Sequence, residues 1–174
     1  LELTGNVEFY DGYAYTIGSI NNTGESVNFQ LTGATPDSII NVEGAADSFI
    51  AKYEADTGAL VWVKILEDAP TLRQIHVDAS GIHVVGSFTG TVDFDPSGST
   101  HDETASSTDG FLAKYDLAGL FAWVKVIGGA ASDASVSLDV DSSGNIYVAG
   151  YFVNQADLGG GVRGTGLICL YAYL

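Results

Sequence analysis

Apolar positions along this chain come in short runs, rich in Val, Ile, Tyr and Phe, that alternate with polar residues and are cut off by Gly, Asp, Asn and Ser. No stretch holds the three-to-four spacing of an amphipathic helix. This pattern predicts many short β-strands. The clearest runs form three hairpins: NVEFYDGYAYTIGSI at 6–20, QIHVDASGIHVVGSF at 74–88 and SLDVDSSGNIYVAGYF at 137–152. Their turns lengthen from DG to DASG to DSSGN, each with the Asp and Gly that tight turns use. Gly18, Gly86 and Gly150 occupy one equivalent place in the second strand, which predicts a bulge or a close backbone approach there.

Two further series run in parallel with the hairpins. Val27-Asn28-Phe29, Val92-Asp93-Phe94 and Ala156-Asp157-Leu158 match one another, and polar loops are expected after them at 30–46, 95–108 and 159–165. DSFIAKYEADTGALVWVK at 47–64 then returns as DGFLAKYDLAGLFAWVK at 109–125, and in part as GLICLY at 166–171. The offset is 62 residues from Ala51 to Ala113 and 61 from Trp62 to Trp123, so one residue is lost in the intervening turn. Each unit supplies four strands, expected near 7–10, 13–20, 47–53 and 59–65 in the first and near 74–77, 82–88, 110–115 and 120–126 in the second. The third has strands near 136–140, 145–152 and 166–172 and no fourth.

Four antiparallel strands recurring every ~40–65 residues are the signature of β-propeller blades. The expected fold is therefore all-β, with about three four-stranded blades in one repeat domain: 6–65, 74–126 and an incomplete 136–172. Trp62 and Trp123, on the fourth strands, are expected to pack between blades, each burying on the order of 200 Å². The quoted segments resemble the bacterial SBBP family of β-propeller repeats, well over about 47–152 and weakly over 6–30 and 166–171. The resemblance implies a propeller of the seven-bladed type, an extracellular or cell-surface location, no enzymatic activity and no fixed ligand. The third unit departs from the pattern: Asp47 and Asp109 become Thr165, and Lys52 and Lys114 become Leu170.

The charge narrows the choice of partners. The 174 residues carry 22 acidic and 6 basic side chains, a formal net charge of −16. Phosphate binding needs Lys/Arg clusters, and none is present, so neither nucleic acid nor an anionic membrane is an expected partner. No apolar run reaches the ~18 residues of a membrane helix, and no signal-peptide pattern is visible at the first residues. The single cysteine, Cys169, takes the place of Ala51 and Ala113 and is expected as a buried small hydrophobe.

Candidate chemistry is sparse. Asp93, Asp95 and Ser97, followed by Gly98, place oxygens at alternate positions, as in the first half of a calcium loop. Asp139, Asp141 and Ser143, followed by Gly144, do the same. The closing Glu is absent from both, and turn capping by the Asp side chains is the bland alternative. His76 and His83 are expected opposite each other across the DASG turn, as a packed, hydrogen-bonded pair rather than a metal site. Lys52, Lys114, Lys64 and Lys125 fill two equivalent places and are expected to pair with local acids, Asp47 and Asp109 first. No nucleophile elbow, Walker loop, zinc-binding or dinucleotide motif occurs.

These features predict a non-catalytic interaction or scaffold module with no obligate cofactor. The alternatives are a propeller lectin using the loops at 30–46 and 95–108, and a glycoside hydrolase using two carboxylates. A lone wedge of about three blades would expose apolar faces and an unpaired strand edge, so self-association is expected, most simply as a homodimer. Besides itself, the expected ligand is a glycan or a protein.

Overall fold

A computed structural model describes residues 2–20, 26–29, 39–41, 47–68, 70–158, 162–163 and 166–173. Among the described residues the regular elements are all strands. The first sheet contains β1 (Glu2–Tyr10), β2 (Tyr13–Ile20), β5 (Asp47–Glu54) and β6 (Leu60–Leu66), in that spatial order. Between β2 and β5, the small pair β3 (Ser26–Asn28) and β4 (Ile39–Asn41) forms an arm. The second sheet is built from β7 (Thr71–Asp78), β8 (Gly81–Asp93), β9 (Asp102–Tyr115) and β10 (Phe121–Gly129). The third has β11 (Ala134–Val140), β12 (Ile146–Phe152) and β15 (Gly166–Tyr173); its arm is β13 (Ala156–Asp157) with β14 (Val162–Arg163).

All pairings are antiparallel between sequence neighbours, apart from the arms, which gives three propeller-like blades. Their first strands converge, with β7 lying against β1 on one side and β11 on the other. The repeat alignment transfers to the register. Val77 faces Ile82 and His76 faces His83, and each first strand bulges beside the repeated glycine. At that bulge the carbonyl of the first strand leans over the second. A Cβ on Gly86 would strike the Thr71 carbonyl oxygen, and one on Gly150 the Ala134 carbonyl oxygen. The DG turn of the first hairpin has φ of 49° at Asp11 and 80° at Gly12, the positive pair of a type I′ turn.

The arms were only partly visible in the pattern. Residues 102–108, expected as loop, are the start of β9, and β8 runs on to Asp93 beside them, so the second arm is a continuous extension of the blade's central hairpin. The Thr91 and Thr104 hydroxyls meet across it at 2.9 Å. Ile39–Asn41 and Val162–Arg163, also inside expected loops, are arm strands. The remainder of the loops at 30–46 and 159–165, and the side chain of Cys169, lie outside the described residues.

Apolar burial sits mostly between sheets, with a smaller cluster of Ile20, Val27, Phe29, Phe49, Ala51 and Tyr53 within the first blade and its arm. The face of the first sheet carrying Tyr15, Ile17, Ile50 and Leu66 packs on Ile75, Val84, Phe88 and Phe111 of the second. The opposite face of the second sheet, with Val85, Leu112 and Ile127, packs on Leu138, Ile146, Val148 and Phe152 of the third. Trp62 borders the first of these seams and Trp123 the second, as expected of packing residues.

Within each complete blade the arm is bolted to the third strand. The Tyr115 hydroxyl donates to the Phe94 carbonyl at 3.1 Å, and the Phe94 ring meets Phe111 edge-on at 4.9 Å. In the first blade Tyr53 donates to Phe29 at 3.0 Å and Phe29 meets Phe49 at 4.9 Å. Because the Tyr115 ring is 1% exposed, its loss of the hydroxyl leaves a buried carbonyl unpaired. Tyr115→Phe is expected to lower stability by about 1–3 kcal/mol, read as an earlier urea midpoint. An unchanged midpoint would show that the bolt contributes nothing.

Candidate functional site

The parity of a strand decides what the repeated charged residues can reach. Asp47 and Lys52 are five residues apart on β5, so they point to opposite faces, as do Asp109 and Lys114 on β9. The expected Asp–Lys pairing is therefore absent. Lys52 Nζ instead lies 3.8 Å from the centre of the Tyr13 ring and donates across the first seam to the Leu117 carbonyl at 3.4 Å. Lys114 Nζ donates to the Ser80 hydroxyl at 3.2 Å.

The two aspartates go into the interior. Asp47 is 5% exposed and its pKa is raised by burial and by the neighbouring Glu67 and Asp68 carboxylates. Asp109 is 4% exposed and is likewise raised, by burial and then by Asp133, against the Ser106 N–H that its Oδ2 accepts at 3.2 Å. Asp133 has no counterpart in the repeat and gave no sequence signal. It is fully buried and ties three segments together, accepting from Gly129 N at 2.7 Å and Val153 N at 2.8 Å while its own N–H donates to the Thr108 carbonyl at 2.7 Å.

His76 and His83 do face each other, with ring centres 6.4 Å apart. They pack, but they are not hydrogen-bonded as expected: neither ring nitrogen of the buried His83 has a partner. The Lys114 ammonium beside it has turned to Ser80. Burial, then Lys114, holds the imidazole neutral and pushes its pKa down to about 4, against the opposing Asp78 carboxylate.

The two calcium-like stretches adopt turn geometry. Asp93 Oδ1 accepts from Asp95 N at 2.9 Å and His101 N at 2.8 Å, and Asp95 Oδ1 accepts from Ser97 N at 2.9 Å. Asp141 accepts from Ser143 N, Asn145 N, Asn145 Nδ2 and the Tyr147 hydroxyl. These bonds, the Asn145 side chain's first, hold the Asp141 carboxyl below the usual carboxylate range. Asp139 Oδ1 accepts only the next backbone N–H among the bonds described, Val140 N at 2.9 Å. Among the described residues no group of three or more His, Cys, Asp or Glu side chains is placed to hold a metal ion.

Asp93 and Asp95 do line a cleft of about 510 Å³ between the first two blades. One wall is Val63, Lys64, Ile65 and Glu67, from β6 and the residue just beyond it. The other is Asp93, Asp95, Pro96 and 98–100, at the tip of the second arm. The Lys64 stem leans across the seam over Gly119. Ser97, named with the two aspartates, is exposed at the arm tip.

The stretch around the second seam carries the family match. Residues 122–151 match the profile of the SBBP beta-propeller repeat. The chain carries an SBBP repeat. The matched segment runs through most of β10, across Asp133, and through β11 and most of β12, so the match spans a seam. The chain is also similar to an uncharacterized WD repeat-containing protein of Acanthamoeba polyphaga mimivirus, 28% identical over 134 residues. That alignment takes in 67% of this chain and 9% of the relative, so the chain spans about a tenth of that protein's length.

His83 makes the second seam sensitive to acid. Its folded pKa, about 4, lies below the model-peptide value of 6.5. Between those values the unfolded chain binds a proton that the folded chain refuses, so this contribution to stability is whole above pH 6.5 and declines as pH falls toward 4, by on the order of 3 kcal/mol. Asp47 and Asp109 act in the opposite sense, since their raised pKa values favour the folded state on acidification. Tyr15 and Tyr147 fill the His83 place in the other blades. His83→Tyr is expected to flatten the loss of melting temperature between pH 6.5 and 4.5. Parallel curves for the two proteins would exclude His83 as the cause.

Proposed function

We propose that the chain is a non-catalytic propeller segment that works as a secreted or cell-surface interaction and scaffold module, and that it self-associates through its open blade faces, most simply as a homodimer. One observation carries this reading. Val7 and Phe9 of β1 are 47% and 69% exposed. Ile75 and Val77, at the same register in the second blade, are 0% and 6% exposed because the first blade covers them. The first blade thus presents a face built to be covered by another blade of this repeat.

Other features support the module over the alternatives. The two carboxylates with raised pKa values, Asp47 and Asp109, and the imidazole with a lowered one, His83, sit inside the blades and seams and do not line the cleft, which is a poor arrangement for general acid–base work. Trp62 and Trp123 are engaged in seam packing, so they are not free platforms for a sugar ring. The beta-propeller repeat match and the WD-repeat relative support an interaction module built of repeats.

Sedimentation velocity tests the reading. A dimer at micromolar concentration is expected, and Val7→Asp with Phe9→Asp is expected to shift it to monomer while circular dichroism stays unchanged. Wild-type protein that remains monomeric throughout the micromolar range would remove self-association.

A further inference from the structure

The two seams differ where the fourth strand ends, and there the first is left open. β6 and β10 are equivalent, but β10 continues for two residues, Gly128 and Gly129, and there it pairs with the third arm: Gly128 with Asp157 and Gly129 with Ala156. At 129 only glycine allows that approach. A Cβ at 129 would strike the Gln155 carbonyl oxygen and one at 128 the Asp109 carboxyl. In the first seam the same two places hold Glu67 and Asp68, and β6 stops at Leu66. Val92 and Asp93, the counterparts of Ala156 and Asp157, pair only with Glu103 and Asp102 of β9. Between β6 and this arm lies the cleft of about 510 Å³, within the range of ligand-sized clefts, about 300–1,000 Å³.

Three consecutive residues of β6, Val63, Lys64 and Ile65, line the cleft. Since neighbouring side chains on a strand point to opposite faces, the cleft must border the strand's hydrogen-bonding edge. β6 is the outermost strand of its sheet among the described residues. Glu67, Asp93 and Asp95 give the cleft an excess of negative charge over Lys64, in a chain of net charge −16.

We infer that this cleft receives an extended, Lys- or Arg-bearing segment of a partner protein, which adds as a strand to the free edge of β6. Main-chain hydrogen bonds to β6 supply the register, and the carboxylates of Glu67, Asp93 and Asp95 select positive side chains. The inference rests on the reading of the chain as an interaction module and gives that module a partner class.

Isothermal titration with an octapeptide of alternating Lys and Thr tests it on the wild-type chain. Binding is expected, with protection of the Val63 and Ile65 amides from hydrogen exchange. An alternating Glu–Thr peptide, and a Lys–Thr peptide N-methylated at alternate residues, are each expected to bind at least tenfold more weakly. Glu67→Gln with Asp95→Asn is expected to weaken the Lys–Thr peptide by about tenfold. Glu67→Gly with Asp68→Gly, which restores the pair found in β10 and lets the arm close, is expected to abolish binding. Equal affinity for the N-methylated peptide would reduce the cleft to nonspecific charge attraction, and no heat from the Lys–Thr peptide would overturn the site outright. Sedimentation of the same samples reports self-association separately, so a failed peptide and a failed module reading are told apart.

Discussion

Everything in this chain depends on one constraint: each blade is a sheet with two apolar faces, and only another blade can cover a face completely. The first seam brings Tyr15, Ile17, Ile50 and Leu66 against Ile75, Val84, Phe88 and Phe111, nearly all of them fully buried. At roughly 25 cal/mol for each Å² of apolar surface removed from water, a seam of this kind outweighs any single hydrogen bond in the blade. The polar groups then have to be accommodated around it. Lys52 crosses the seam on its long stem to reach Leu117, Gln74 exchanges two hydrogen bonds with the Leu138 backbone, and Asp133 fastens three segments at the start of the third blade.

The same constraint explains why so much of the fold was legible. A repeat that must pack against its own copies keeps its register: the DASG turn sets His76 opposite His83, and the recurring glycine marks the close backbone approach at Gly86 and Gly150, with the bulge itself in the facing strand. Alternation also reported the strands whose side chains enter seams. It failed for residues 102–108, where Thr, Ser, Glu and Asp in an arm give no apolar signal although the backbone pairs with β8 at Asp102, Glu103, Thr104 and Thr108. The predicted pairing of Asp47 with Lys52 failed for a different reason. Nearness in sequence was read as nearness in space, while an odd separation on a strand sends the two side chains apart.

The site was less legible than the fold because it arises from a difference between copies. Asp93 and Asp95 drew notice as a half-formed calcium loop, and their carboxylates turn out to cap their own turn. Their position against β6 could not be read from spacing, since it depends on an arm that crosses from one blade toward the next. Asp133 was missed for the complementary reason: Pro70 stands at its place in the first seam, so no repeat marked it.

Divergence between otherwise matched seams is where a repeat protein can carry individuality. Gly128 and Gly129 allow the third arm to close on β10, and the result is a continuous six-stranded sheet. Glu67 and Asp68 stand at the same two places just past β6, where a Cβ replaces each glycine and Glu67 lines the cleft with Asp93 and Asp95, so that like charges oppose pairing. Two residues thus convert a sealed junction into an open, negatively charged edge without disturbing the apolar packing a few ångströms away. The core holds the blades in register up to Leu66, and the two residues beyond it carry the difference between the seams.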